Sequence, residues 1–161
     1  MDYTALLASC APLVAPSTAH AVIKVESGGN PYAIGVIGAK LQRQPQNRAE
    51  AIATAKALAA AGWNFDLGLG QINKANLPRL GMSIEGAFDA CTNLRAMQTI
   101  LSDCYTRATK GADQQAALLK AFSCYNSGNF RTGFERGYVN RVLVAWKTSQ
   151  RQIQVAAAPT R

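Results

Sequence analysis

The chain is poor in the residues that most often announce a chemistry. It has one histidine and no Cys-x-x-Cys pair, so its cysteines lack the spacing of a zinc site and no metal is expected. No apolar run reaches the ~18 residues a spanning helix needs, so stable membrane insertion is not expected. The basic residues stand singly, as at Lys40, Arg43, Arg48, Lys74 and Arg79. A nucleic-acid binder more often shows a basic run or a reading helix, and with neither present no nucleic-acid partner is expected. The glycine-rich stretch near residue 70 lacks the Lys-Ser/Thr ending of a phosphate loop. No cofactor is expected, and there is no internal repeat.

What the chain does contain points to a helical domain. Its 161 residues are 48% hydrophobic, enough for one domain with a sizeable core. Runs of Ala and Leu with few β-branched alternations predict a mainly α fold. The net charge of +8 describes a solvated basic surface suited to an anionic polymer. Four cysteines, at 10, 91, 104 and 124, suggest two disulfides in an oxidising compartment; buried free thiols are the alternative.

The N-terminus has an apolar stretch ending in Ala19-His20-Ala21, which mimics a signal-peptidase site. No Lys or Arg precedes it, and cleavage there would discard Cys10. Residues 1–21 are therefore read as part of the fold, with any export signal removed earlier.

Tyr3, Leu6, Leu7 and Cys10 predict a first short helix that stops near Pro12. Ser17 or Thr18 can cap a second helix after Pro16. Its apolar face carries Ala19, Val22 and Ile23, then Glu26 in the same row. Gly28 or Gly29 supplies a left-handed stop. Residues 33–44 read as a small β-hairpin or irregular flap. Asn47 and Glu50 resemble a capping box opening an Ala-rich helix to Gly62. "WNFDLGLGQIN" comes next as a Gly-rich loop. Asp89 caps a long helix bearing Leu94, Met97, Leu101 and Cys104, and Asp113 caps the next, ending at "CYNSGN". Tyr138 opens the last helix, with Val139, Val142, Leu143 and Trp146. Residues 1–148 form the expected single domain, and 149–161 a flexible tail.

Cys91 and Cys104 share one helix, roughly 20 Å apart at ~1.5 Å per residue, and cannot bond to each other. Antiparallel packing of the helices flanking Gly111 would put Cys124 nearer Cys91. The expected pairs are Cys91–Cys124 and Cys10–Cys104.

Three clusters carry the chemistry. Glu26 lies on an apolar face at a helix C-terminus, where burial and the helix dipole both favour the protonated acid. Such an acid can protonate a leaving oxygen, as glycosidases require. In "GLGQIN", Gly68 and Gly70 let backbone approach a ligand while Gln71 offers a donor and an acceptor. In "CYNSGN", Tyr125 and Asn126 could bind a sugar's hydroxyl and acetamido groups. Each cluster alone also fits an ordinary helix end or turn.

In order, E-S-G-x-N-P, G-L-G-Q-I-N, Y-N-S-G-N and G-Y-V resemble the SLT-type lytic transglycosylases of the lysozyme-like superfamily. "NPYAIGV", "GWNFDLGLGQIN" and the extra cysteines resemble the specialised transglycosylases of type IV secretion systems. The resemblance covers roughly residues 5–146 and implies a goose-type/SLT lysozyme-like helical fold. It implies Glu26 as the sole catalytic acid/base, with Ser27 assisting. Gln71 would line the sugar groove, Tyr125 and Asn126 would flank the acid, and Tyr138 would lie near it. The implied reaction cleaves the MurNAc–GlcNAc β-1,4 bond of peptidoglycan and closes a 1,6-anhydro ring. The implied setting is the periplasm, with secretion-system proteins as partners. Asp66 complicates this: facing the acid, it would permit hydrolysis, as in a goose-type lysozyme. The other rivals are a non-catalytic glycan-binding scaffold and a DNA-binding module. The intact Glu26, Gln71 and Asn126 set argues against the scaffold.

Overall fold

Helix ends follow the capping residues. In the computed structural model, which describes residues 3–111 and 113–156, Asn47 accepts a hydrogen bond from the Glu50 amide (2.9 Å). It thereby opens helix α3, Arg48–Ala60. Glu50 replies to the Gln46 amide (2.8 Å), one residue upstream of the usual capping-box partner. Asp89 accepts from the Thr92 amide (2.8 Å) at the start of α5, Ala90–Ala108. Asp113 does the same for Ala116 (2.8 Å) at α6, Gln114–Ser127. All three caps match expectation. Helix α1 is Thr4–Cys10, and α2 is Pro16–Ser27. Neither Ser17 nor Thr18 caps α2. Pro16 is its first residue, where a missing N–H costs nothing, and Ala15 accepts the first helical bond, from Ala19.

The described chain gathers into two compact units. The first comprises residues 3–11 and 26–97. It contains a three-stranded antiparallel sheet of β1 (Ile34–Val36), β2 (Phe65–Leu67) and β3 (Ile72–Asn73), in that spatial order. The register pairs Ile34 with Leu67 and Asp66 with Asn73. Residues 33–44 therefore form no hairpin of their own: β1 finds its partner across α3. The hairpin lies instead at β2–β3, and the Gly-rich loop is its turn. On β1, Gln44 acts as a substitute strand. Its side-chain carbonyl accepts from Ile34 N (2.8 Å), and its amide donates to Ile34 O (2.9 Å). The short helix α4, Ile84–Ala87, sits against α3 through a Lys56–Glu85 ion pair. The core here is Phe65, Leu67, Leu69, Ile72 and Leu94, all fully buried.

The second unit comprises residues 12–25, 98–111 and 113–156. Here α6 packs on α7 (Thr132–Glu135) and on α8 (Tyr138–Ala156). Gly133 makes the first contact possible: a β-carbon there would lie 2.5 Å from Ser123 Cα. Val139 and Val142 are buried, whereas Trp146 is 37% exposed. Residues 149–156, where the apolar period fades, continue α8; the rest of the expected tail lies outside the described residues.

The disulfides are Cys10–Cys91 and Cys104–Cys124, not the pairs expected. That expectation assumed α5 and α6 to be antiparallel neighbours. They do not pack side by side along their lengths; they meet where Cys104 and Cys124 come to 5.8 Å between Cα atoms. Cys10 at the end of α1 is then left with Cys91 in the first turn of α5, 5.3 Å away.

Candidate active site

Glu26 is the penultimate residue of α2 and is half-buried. The face it continues is dry: Ala19, Val22 and Ile23 are at most 2% exposed. Gly28 and Gly29 both take left-handed φ, +62° and +84°, so the chain turns away immediately after the acid. Ser27 works inside this turn. Its Oγ accepts from Gly29 N (3.2 Å) and its carbonyl from Asn30 N (3.1 Å). Asn30 Oδ1 accepts from Tyr32 N (2.9 Å), bridging Pro31. The Tyr3 hydroxyl donates to Gly29 O (2.8 Å). The Glu26 carboxyl thus projects from a helix end whose exit is held by side chains rather than left to fray.

The second motif is tied to the first through one carbonyl. Ala33 O accepts from Gly68 N (2.9 Å) and from Gln71 Nε2 (3.1 Å). Gln71 also donates to Gly68 O (2.9 Å), so both hydrogens of its amide are committed within the scaffold. Its Oε1 lies over Gly35, where a β-carbon would come within 2.6 Å. Gln71 has φ +49°, a conformation costly for a residue with a β-carbon. The expected groove-lining Gln is thus also a clamp between the segment leaving Glu26 and the hairpin turn.

Asn93 holds that turn from beneath, and sequence reasoning missed it. It is 1% exposed, accepts from Gly70 N (2.8 Å), and donates to Leu67 O (2.9 Å) and Ala87 O (2.7 Å). A β-carbon at Gly68 would lie 2.3 Å from Asn93 Nδ2, so this glycine is required by space as well as by its φ of +74°. The signal was present: an amide four residues before Met97, on the apolar stripe of α5.

Asp66 faces a different set of demands. Burial pushes its carboxyl above the usual carboxylate range, and a hydrogen bond from Asn73 opposes that. The bond is Asn73 Nδ2 to Asp66 Oδ1 (2.8 Å), and the same amide also reaches Asn64 (2.9 Å).

In the second unit, Tyr125 is half-buried and Asn126 exposed in the last turn of α6. Gly128 closes the helix at φ +79°. Ser123 fixes the segment between α6 and α7, donating to Asn129 O (2.9 Å) and accepting from Gly133 N (2.9 Å). Tyr138 opens α8 and is 2% exposed. The Arg141 guanidinium lies 5.8 Å from its ring centre.

Comparison with known proteins decides the family. The transglycosylase SLT domain matches residues 5–143, a span that includes Glu26, the hairpin turn and the end of α6. The chain belongs to the SLT transglycosylase family. The lysozyme-like, mainly α fold with its small sheet is that of the family, and the activity is that of a lytic transglycosylase. The chain is 47% identical over 162 residues to the type IV secretion system protein virB1 of Brucella suis biovar 1, covering 96% of this chain and 68% of that protein. The Brucella abortus biovar 1 (strain 9-941) protein of the same name matches equally. Protein virB1 of Agrobacterium fabrum is 38% identical over 138 residues, covering 84% of this chain and 56% of that protein. No solved structure matches significantly. Among the described residues no helix is long and apolar enough to cross a membrane.

Proposed function

We propose that this SLT transglycosylase cleaves the MurNAc–GlcNAc β-1,4 bond of peptidoglycan in the periplasm, opening the wall locally for a type IV secretion or conjugation apparatus. The observation that carries the reading is Glu26: a half-buried acid at the end of α2 inside the matched family span. Glu26 protonates the glycosidic oxygen as the C1–O4 bond breaks. The same carboxylate then takes the proton of the muramic 6-hydroxyl, whose oxygen attacks C1. The proton given equals the proton taken, and no water is consumed. One carboxyl therefore suffices where a hydrolase uses two.

The other residues serve Glu26 or the sugar. Ser27 fixes the turn from which the acid projects. Gln71 shapes the groove through its clamp on Ala33, and its Oε1 is the part left to face a ligand. Tyr125 and Asn126 bind the acetamido and hydroxyl groups, and Tyr138 corresponds to the late tyrosine of the family motif. Residues 1–148 act together as the catalytic domain. The basic surface favours a substrate whose peptide stems carry carboxylates. The likeness to type IV secretion system proteins called virB1 supports secretion-system proteins as partners.

The test is product analysis of purified murein with wild type and Glu26→Gln side by side. Wild type is expected to release 1,6-anhydro-muramic ends, and Glu26→Gln to release none while keeping its circular dichroism. Reducing ends from wild type would make the enzyme a hydrolytic muramidase. Full lysis by Glu26→Gln would remove Glu26 from the mechanism.

A further inference from the structure

A cavity of about 590 Å³ lies within the second unit, lined only by its residues. That is the size range of ligand pockets, ~300–1,000 Å³. Buried Val14, Leu101 and Phe122 are among its lining, with half-buried Leu119 and Leu143. Leu13 and Trp146, 79% and 37% exposed, stand at its margin. The indole is pinned there by its N–H, which donates to Ser17 Oγ (3.2 Å), so the cavity has a fixed wall.

Its polar lining is uncharged. Thr18, Ser102 and Thr106 supply hydroxyls, and Gln114 and Gln115 supply amides. The surrounding unit is strongly charged. Its segments, 12–25 and 98–161, hold ten of the chain's 17 Lys and Arg but three of its nine Asp and Glu, so they carry +7 of the net +8. Those three acids are engaged: Asp103 pairs with Arg107 (3.3 Å), Glu135 with Arg131 (2.6 Å), and Asp113 caps α6. The unit that holds the cavity therefore carries a large excess of cations over acids.

We propose that this cavity docks an acidic amphipathic helix of a partner protein. Its apolar residues enter the cavity, and its carboxylates lie over the basic surface outside. Helix-in-groove recognition uses such a division, with anchors at i, i+3, i+4 and i+7, and complementary charge steers the encounter. The uncharged lining favours a peptide over an anionic lipid, because no cation lines the cavity to hold a head group beside its acyl chain. The site is independent of Glu26, so the inference stands apart from the catalytic reading.

The experiment uses the full chain and a fluorescein-labelled helical peptide with Leu and Phe at the four anchor positions and Glu on the opposite face. Anisotropy is expected to show saturable binding that weakens as salt rises. A Lys-for-Glu peptide and a permuted peptide should bind at least about tenfold more weakly, roughly 1.4 kcal/mol. Leu119→Gln and Leu143→Gln should each weaken the Glu peptide by a similar factor while wall lysis and circular dichroism stay unchanged. No saturation up to about 1 mM would overturn the proposal. Equal binding of the permuted peptide would do the same, as would indifference to both cavity variants. Phosphatidylglycerol vesicles form the other arm: vesicle binding lost in Leu119→Gln, with no peptide binding, assigns the cavity to lipid instead.

Discussion

Glu26, Asp66 and Gln71 show how differently three polar residues of one unit are employed. Asp66 is an acid under desolvation, not a partner held ready by cations. Its raised pKa means that its contribution to stability is fully present below the unfolded value and is lost as pH rises through the folded one. Asp66→Asn keeps an acceptor for Asn73 and removes the ionisation. Its stability relative to wild type is therefore expected to improve as pH rises from the acid range to neutrality, read by urea denaturation at several pH values. Its murein products should remain 1,6-anhydro ends; a switch in product type would give Asp66 a part in the chemistry. Gln71→Ala loses two hydrogen bonds to carbonyls, a cost of about 1–3 kcal/mol. A variant of unchanged stability would show that the clamp carries no weight.

At the scale of elements, the β2–β3 hairpin is the part whose integrity decides the site. Its turn hangs on Asn93, whose three bonds reach a strand-end carbonyl, a turn amide and α4. Asn93→Ala leaves one buried N–H and two carbonyls to find new partners, at about 1–3 kcal/mol each. We expect it to lower the urea midpoint more than Asn47→Ala, which removes a helix cap worth about 1 kcal/mol. The reverse ranking would mean that the turn is held chiefly by its hydrophobic flanks, Leu67, Leu69 and Ile72.

For the whole molecule, each disulfide joins two cysteines of the same unit. Cys10–Cys91 spans 81 residues and Cys104–Cys124 spans 20. On the loop-entropy account the first is worth about 4.5 kcal/mol and the second about 3 kcal/mol. Replacing Cys10 and Cys91 with Ala should thus depress Tm more than replacing Cys104 and Cys124. Peptide mapping without reduction should recover these two pairs, and a Cys91–Cys124 peptide would contradict the fold described.

Local chemistry was legible in the chain itself. Caps at Asn47, Asp89 and Asp113 need only one side chain and the next turn of backbone. The glycine stops after Glu26 and at Gly128 need only a residue free of a β-carbon. Motif order along the chain carried the family, and with it the candidate acid. Tertiary structure alone decided the rest. Strand partners and cysteine pairs join residues far apart in sequence, so their choice depends on how helices cross and not on local preference. The same holds for Asn93 and Gln44, amides whose work is visible only once distant carbonyls are brought beside them. Where contacts are local the sequence suffices; where loop closure and packing set the neighbours, only the folded chain can say.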